Sequence, residues 1–174
     1  MQAATMRRFK WFWAWQDEKE EEWLRSMAQD GWHLVSLVPA MYTFERGEAR
    51  DDVYRLDFVT AATDTEEYLQ IFADAGWEHV GVQSGWQYFR RPASAGKTDE
   101  IYTDPTSKAQ KYRRLLGFLI IFTPMYSSLF VIFVTRSGRP NWTVVIAVVM
   151  AAISVIWGVL LVMIGRRIKQ LENS

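Results

Sequence analysis

The chain has 174 residues, no cysteine, and 20 Lys and Arg against 20 Asp and Glu, so its formal net charge is zero. Without cysteine it has no disulfide framework, no thiolate metal site and no cysteine nucleophile. The first 107 residues hold 11 Lys and Arg against 19 Asp and Glu, and this acidic balance predicts that nucleic acid is not a partner.

The first predicted element is a β-strand over residues 7–15, because aromatic side chains recur there at every second position. The aromatic face consists of Phe9, Trp11, Trp13 and Trp15. A helix over residues 18–30 follows and ends at Gly31. Asp17 and Glu20 are spaced as a capping pair at its start. Its apolar stripe consists of Trp23, Leu24, Met27 and Ala28.

A repeat becomes visible when the chain is aligned with itself at an offset of 45 residues. Residues 21–46 then align without a gap on residues 66–91. The first repeat ends with strands over residues 32–37 and 41–46. The second repeat comprises strands over residues 52–59, 77–82 and 86–91 and a helix over residues 64–75. The same offset extends to the first strands and places Phe9 over Tyr54.

Two βαββ repeats predict an α+β fold with a six-stranded, mainly antiparallel sheet and two helices, related by a pseudo-twofold axis. If both apolar stripes cover the same face of the sheet, the opposite face needs another explanation. It could be closed by curling or by a second copy of the chain, or it could be left as a groove. A homodimer is compatible with this duplication.

A short linker ends the duplicated domain, which we place at residues 1–97, and residues 98–114 form a juxtamembrane segment. Asp104 suits a helix N-cap and Pro105 suits the first helical position. A helix that starts there can continue without a break into the apolar region. Tyr102, Thr103 and Asp104 are a candidate coupling segment that binds a partner or relays a conformational change. A helix cap followed by a linker is the simpler interpretation.

Residues 115–134 and 142–164 contain no charged residue, and each run is long enough to cross a hydrocarbon core. They predict a transmembrane hairpin at residues 115–164 in the cell membrane, followed by a tail at residues 165–174, with the lipid bilayer as a partner. Seven basic residues flank the outer ends of the hairpin, namely Lys108, Lys111, Arg113, Arg114, Arg166, Arg167 and Lys169. The connecting loop holds only Arg136 and Arg139, so both termini are predicted to be cytoplasmic.

The domain before the hairpin has more aromatic residues than a small core usually needs. The candidates are Trp11, Trp13, Trp15, Trp23, Trp32, Trp77, Trp86, Tyr88 and Phe89. They could fill the core, or they could line a pocket for a flat or cationic small-molecule ligand. For the second interpretation we select Trp11, Trp13, Trp32, Trp77, Trp86 and Tyr88 as ligand-binding candidates. Lys10 and Arg55 are equivalent at the 45-residue offset and could mark an anion site, although a solvated face or pairing with Asp57 also explains them.

The sequence has no Gly-rich phosphate loop, no Ser-centred nucleophile elbow and no His pair at helical metal spacing. His33 and His79 are its two histidines, and they do not coincide at the 45-residue offset, which argues against a symmetric metal site. We therefore predict no enzymatic activity, no cofactor and no metal.

Several segments together resemble one family. They are FKWF, EEWLRSMAQDGWHL, YTFE, GWEHVGVQSGWQYFRRP and EIYTDPTSKAQKY. Over residues 6–114 the chain resembles the bacterial domain-of-unknown-function family numbered 2812. The resemblance implies a cytoplasmic domain that is often joined to C-terminal membrane spans, and it implies no activity and no catalytic residue. Trp11, Trp13 and Trp15 make the first strand unusually aromatic for that pattern.

These observations favour a membrane-anchored cytoplasmic sensory or regulatory module. Such a module would bind a small molecule or a protein and pass that state to a membrane protein partner. The alternative is a structural accessory subunit of a membrane transporter or envelope complex, with no ligand of its own.

Overall fold

The computed structural model describes residues 4–59, 65–93, 105–136 and 141–172, and the chain divides into an N-terminal unit, Met1–Ser107, and a C-terminal unit, Lys108–Ser174. The N-terminal elements are β1 (Thr5–Phe9), α1 (Asp17–Gln29), β2 (Trp32–Val38), β3 (Met41–Arg46), β4 (Asp52–Phe58), α2 (Thr65–Asp74), β5 (Glu78–Gln83) and β6 (Trp86–Pro92). Two long helices, α3 (Pro105–Arg136) and α4 (Asn141–Glu172), follow. The α+β class and the duplicated βαββ order are confirmed.

The six strands are divided between two antiparallel sheets of three strands each. The first sheet has the order β1-β3-β2 and the second has the order β4-β6-β5. Each repeat therefore places its last strand at the centre of its own sheet. The edge strands β2 and β5 lie beside each other, and a Cβ added to Gly81 would lie 3.2 Å from the Leu37 side chain.

β1 is shorter than the aromatic alternation predicts. The strand ends at Phe9, and the N–H of Lys10 donates a hydrogen bond to the carbonyl of Ala40 over 2.9 Å. The N–H of Gln16 donates to the Trp13 carbonyl over 2.8 Å and closes a turn that leads into α1. The predicted strand over residues 7–15 is wrong beyond Phe9, because the alternation continues into a loop.

The register of β1 also differs from the offset of the repeat. Phe9 pairs with Met41, whereas Phe58 pairs with Trp86 in the second sheet. Met41 aligns with Trp86 at the 45-residue offset, so Phe9 in the first sheet occupies the position of Phe58 in the second. The predicted equivalence of Phe9 with Tyr54 is therefore wrong. The shift is four residues. An even shift keeps every side chain on the same face of a strand, so alternation alone could not reveal it.

α1 packs between the two sheets. Its core consists of Leu24, Met27 and Ala28 from α1, Leu34, Tyr42 and Phe44 from the first repeat, and Tyr54, Leu56 and Tyr88 from the second. α2 packs on the other face of the second sheet, where its Phe72 lies among Val53, Trp77 and Phe89. The two helices therefore have different surroundings, although both use the predicted apolar stripe.

The outer face of the first sheet is polar except at one end, where Phe9, Met41 and Val38 lie in one row across the three strands. It presents Thr5, Arg7, Thr43 and Glu45, which take the places of Tyr54, Leu56, Tyr88 and Arg90 in the second sheet. The second sheet buries this face beneath α1, whereas Thr5, Arg7 and Glu45 are exposed. The polar part of this face is stable in water. Phe9 and Val38, which are 71% and 56% exposed, leave apolar surface at one end of it.

The C-terminal unit contains two helices long and apolar enough to span a membrane. The candidate spans are Ala109–Ile132 and Val144–Glu172. The indole N–H of Trp157 donates a hydrogen bond to the Thr123 hydroxyl over 3.1 Å, and Arg113 forms an ion pair with Glu172. These contacts make α3 and α4 an antiparallel hairpin, as predicted, and α3 begins at Pro105.

Candidate functional site

A buried carboxylate joins the two repeats. One oxygen of Glu20, Oε1, accepts hydrogen bonds from the hydroxyls of Tyr42 and Tyr88, each over 2.7 Å. Tyr42 lies on β3 and Tyr88 on β6, so a side chain of α1 connects the central strands of both sheets. The predicted capping pair is wrong, because Gln16 occupies the N-cap position without a side-chain cap and Glu20 points into the core.

Burial sets the protonation properties of this cluster. It raises the pKa of the Glu20 carboxyl, although the two tyrosine hydrogen bonds act in the opposite direction. Burial, followed by the negative charge of Glu20, also raises the pKa of Tyr42 and Tyr88. Both hydroxyls therefore remain protonated donors over the physiological pH range.

The neighbouring carboxylate, Glu21, closes the open edge of β4. Its Oε1 accepts the backbone N–H of Leu56 over 2.8 Å, and its Oε2 accepts Nη1 of Arg55 over 3.2 Å. β4 is an edge strand, whose free N–H groups need partners when they are buried. Arg55, a candidate for the anion site, thus forms an internal ion pair that attaches α1 to the second sheet.

Lys10, the other candidate for that site, lies against aromatic rings. Its Nζ is 4.5 Å from the ring centroid of Trp23 and 5.3 Å from that of Phe12. Burial, followed by the charge of Arg8, lowers the pKa of Lys10. The structure does not bring Lys10 and Arg55 to equivalent positions, because Lys10 follows β1 and Arg55 lies within β4.

Four of the other aromatic candidates are distributed through the N-terminal unit. The guanidinium carbon of Arg46 lies over the ring of Trp32, 5.0 Å from the ring centroid. Trp77 is buried beside α2, Trp86 is half-buried against Phe58, and Tyr88 is bonded to Glu20. These four side chains do not form one pocket in the described residues.

The remaining two candidates, Trp11 and Trp13, are exposed, and so is Phe9, which was not a candidate. Phe9, Trp11 and Trp13 are 71%, 59% and 37% exposed, and we call these three residues the aromatic strip. The rings of Trp11 and Trp13 meet edge to face with centroids 5.7 Å apart, and Trp13 stacks on Trp15 at 5.3 Å. The tryptophans of the strip therefore pack on neighbouring tryptophans outside both cores.

A groove of about 300 Å³ lies beside β2 and β3 and was not predicted. Its lining includes His33, Arg46, Arg50 and Arg90, together with Glu45 and Glu48. Nη2 of Arg50 donates to Oδ2 of the buried Asp52 over 3.0 Å, and His33 Nε2 lies 2.8 Å from the Glu48 carbonyl. Its cations are thus largely engaged by protein groups, and the aromatic strip is the stronger candidate site.

Sequence reasoning missed Glu20 and Glu21 as structural groups, although a signal was present. Both lie one helical turn before the apolar stripe, at positions that face the core with Leu24. The predicted coupling segment, Tyr102, Thr103 and Asp104, lies outside the described residues. Across the described ranges, no group of three or more His, Asp and Glu side chains could hold a metal ion.

A family model described as a protein of unknown function (DUF2812) matches residues 16–123. The match begins just before α1, includes every element from α1 to β6, and ends within α3, so it leaves out β1 and α4. The aromatic strip precedes the matched residues. No curated protein and no solved structure matches the chain.

Proposed function

Since this chain belongs to the DUF2812 family, whose description names no activity, we propose a function from its own structure: a non-enzymatic, membrane-anchored cytoplasmic binding module with a regulatory role. In this proposal α3 and α4 cross the membrane and both termini lie in the cytoplasm. The apolar length of the two helices and the basic residues at their outer ends support this placement.

The aromatic strip is the observation that supports a binding role. Leaving apolar surface in water forfeits about 25 cal/mol for each Å² that a partner could cover. The N-terminal unit buries Phe44, Tyr54 and Phe89 almost completely, yet it leaves the three side chains of the strip exposed outside both cores. The rings of Trp11 and Trp13 contact each other there. Exposed apolar groups that adjoin one another mark contact surfaces, and Trp is enriched among the residues that dominate binding.

The packing around Lys10 supports a regulatory role. Lys10 lies between two residues of the strip in the chain and covers the ring of Trp23 on α1. Trp23 in turn packs edge-on against Tyr42, which donates to Glu20. A partner that displaces Lys10 would therefore act on the helix that holds both repeats together.

A labelling experiment tests whether the strip is covered in the cell. The chain has no cysteine, so Ala14→Cys introduces a single thiol beside Trp13 without removing an aromatic residue. We expect this thiol in native membranes to react with a water-soluble maleimide about tenfold more slowly than in the purified full chain, which corresponds to about 1.4 kcal/mol of protection.

Ala73→Cys on the exposed surface of α2 is the matched control, and its reaction rate should be the same in both preparations. Equal rates for Ala14→Cys in native membranes and after purification would contradict the proposed binding role. A stoichiometric partner that is retained equally by the wild-type chain and by the variant with Trp11→Ala and Trp13→Ala would instead favour a structural accessory subunit.

A further inference from the structure

The aromatic strip lies at the basic end of an acidic unit. Residues 1–16 hold Arg7, Arg8 and Lys10 and no acidic residue, whereas residues 17–107 hold 8 Lys and Arg against 19 Asp and Glu. Arg7 and Arg8 are exposed on β1 next to Phe9. The strip thus combines exposed aromatic rings with positive charge, and the rest of the unit has the opposite charge.

We propose that the aromatic strip docks onto an anionic lipid surface; this inference rests on the proposed function and identifies the partner of that site. Trp has an apolar ring system and an N–H donor, which suits it to the boundary between headgroups and acyl chains. Each Lys or Arg near an anionic leaflet is attracted to its negative surface potential. The acidic remainder of the unit is repelled by the same leaflet, so charge alone orients the strip toward the lipid.

The geometry favours a lipid surface over a second copy of the chain. The strip consists of only three side chains, one at the end of β1 and two in the loop that follows, whereas a stable protein interface buries about 800 Å² on each partner. Arg7, which lies on the same face of β1 as Phe9, would also approach a like charge if two strips met about a twofold axis, which opposes self-association. A fluid bilayer needs no matching shape and supplies the complementary charge.

Membrane anchoring makes a weak contact sufficient. A domain joined to membrane-spanning helices samples the adjacent leaflet at an effective concentration in the millimolar range. The strip can then remain docked even if the free domain binds vesicles weakly. Because Lys10 contacts Trp23 on α1, docking and release of the strip would change the packing of α1, the helix between the two sheets.

The test uses the full chain in nanodiscs made of phosphatidylcholine alone or of phosphatidylcholine with phosphatidylglycerol. A nitroxide is attached to Ala14→Cys and, in the control protein, to Ala73→Cys. In anionic nanodiscs we expect collisions of the residue-14 label with a water-soluble nickel chelate to fall about tenfold and collisions with oxygen to rise. This protection should weaken in high salt, because exposed charges are screened. The control label should remain accessible to the nickel chelate.

Variants identify the groups responsible. Arg7→Gln together with Arg8→Gln should abolish the difference between the two lipid compositions, and Trp11→Ala with Trp13→Ala should restore nickel access in both. Thermal unfolding of each variant shows whether it retains the wild-type fold. A matched pair with Glu66→Gln and Glu67→Gln, both exposed on α2, should leave the protection unchanged.

Each remaining outcome contradicts the lipid assignment in a distinct way. Equal access of the nickel chelate to the residue-14 label in both nanodisc compositions overturns the lipid assignment. In that case the proposed binding role survives only if Ala14→Cys is still protected in native membranes. Protection that depends on the number of chains in each nanodisc and not on lipid charge indicates a second copy as the partner. Absence of protection in native membranes contradicts both the lipid assignment and the proposed function.

Discussion

Replacing Glu20 by alanine is expected to lower the free energy of unfolding by about 2 to 4 kcal/mol, because buried hydroxyls lose their acceptor. Tyr42 and Tyr88 are each 2% exposed and both donate to the same carboxylate oxygen. The substitution also leaves a cavity where α1 meets both sheets. Urea unfolding of the full chain in detergent, followed by tryptophan fluorescence, measures the change.

Two substitutions serve as controls for Glu20→Ala. Glu20→Gln keeps an acceptor in the same place and should recover most of the lost stability, whereas Glu22→Ala, exposed on the same helix, should change it by less than about 0.5 kcal/mol. In a background with Tyr42→Phe and Tyr88→Phe, the cost of Glu20→Ala should shrink. A cost that does not change in that background would contradict the hydrogen-bonded cluster.

The raised pKa of Glu20 also predicts how stability depends on pH. The folded chain holds the proton of this carboxyl more tightly than the unfolded chain. The resulting stability is fully present below the ordinary glutamate pKa of 4.5 and is lost as the pH rises through the raised value. Compared with wild type, Glu20→Gln should therefore become relatively more stable as the pH rises through this interval.

Leu24→Ala is expected to cost about 3 kcal/mol or more, whereas Leu69→Ala at the equivalent position of the second repeat should cost about 1 kcal/mol. Leu24 is fully buried because α1 has a sheet on either side. Leu69 is only half-buried, because α2 packs on one sheet and its other side faces solvent. Chemical unfolding of the two variants under the same conditions provides the comparison.

The pair of leucine variants is its own control, because the substitution and the helix position are the same. Equal losses for Leu24→Ala and Leu69→Ala would show that α1 and α2 have equivalent surroundings, which contradicts the packing of α1 between the sheets. A variant with Ile71→Ala, exposed on α2, sets the baseline and should be close to wild type.

Local pattern was sufficient to predict most secondary-structure elements. α1 follows the 3.6-residue spacing of Leu24, Met27 and Ala28, and α2 follows the same spacing in the second repeat. Each helix is followed two residues later by a glycine with positive φ, 78° at Gly31 and 82° at Gly76. Strand β3 begins and ends where the alternation placed it. The duplicated order followed from the ungapped alignment, because a repeat requires one local fold to serve twice.

Long-range packing was not predictable from the same patterns. The four-residue shift of β1 preserves the alternation, so only the pairing of Phe9 with Met41 reveals it. The position of α1 between two sheets depends on the contrast between the polar outer face at Thr43 and the apolar face at Tyr88. The sequence spacing predicted that Glu20 caps the helix. Its side chain instead points into the core, where it accepts hydrogen bonds from Tyr42 and Tyr88.

The candidate site was predictable in composition and not in position. The surplus of aromatic residues was evident from the sequence, and the core interpretation applies to only some of its members. Trp77 lies in a core, whereas Trp11 and Trp13 lie at the surface. Propensity cannot separate these cases, since a tryptophan beyond the end of a strand and one within a packed repeat can have the same spacing.

Cysteine accessibility in intact cells tests most directly whether two apolar helices hold the duplicated domain at the cytoplasmic face of a membrane. Ser137→Cys in the predicted loop and Ala73→Cys on α2 are exposed in turn to a membrane-impermeant maleimide. We predict that Ser137→Cys reacts in intact cells and that Ala73→Cys reacts only after the membrane is permeabilised. Reaction of Ala73→Cys in intact cells, or release of the chain from membranes by alkaline carbonate, would contradict this placement.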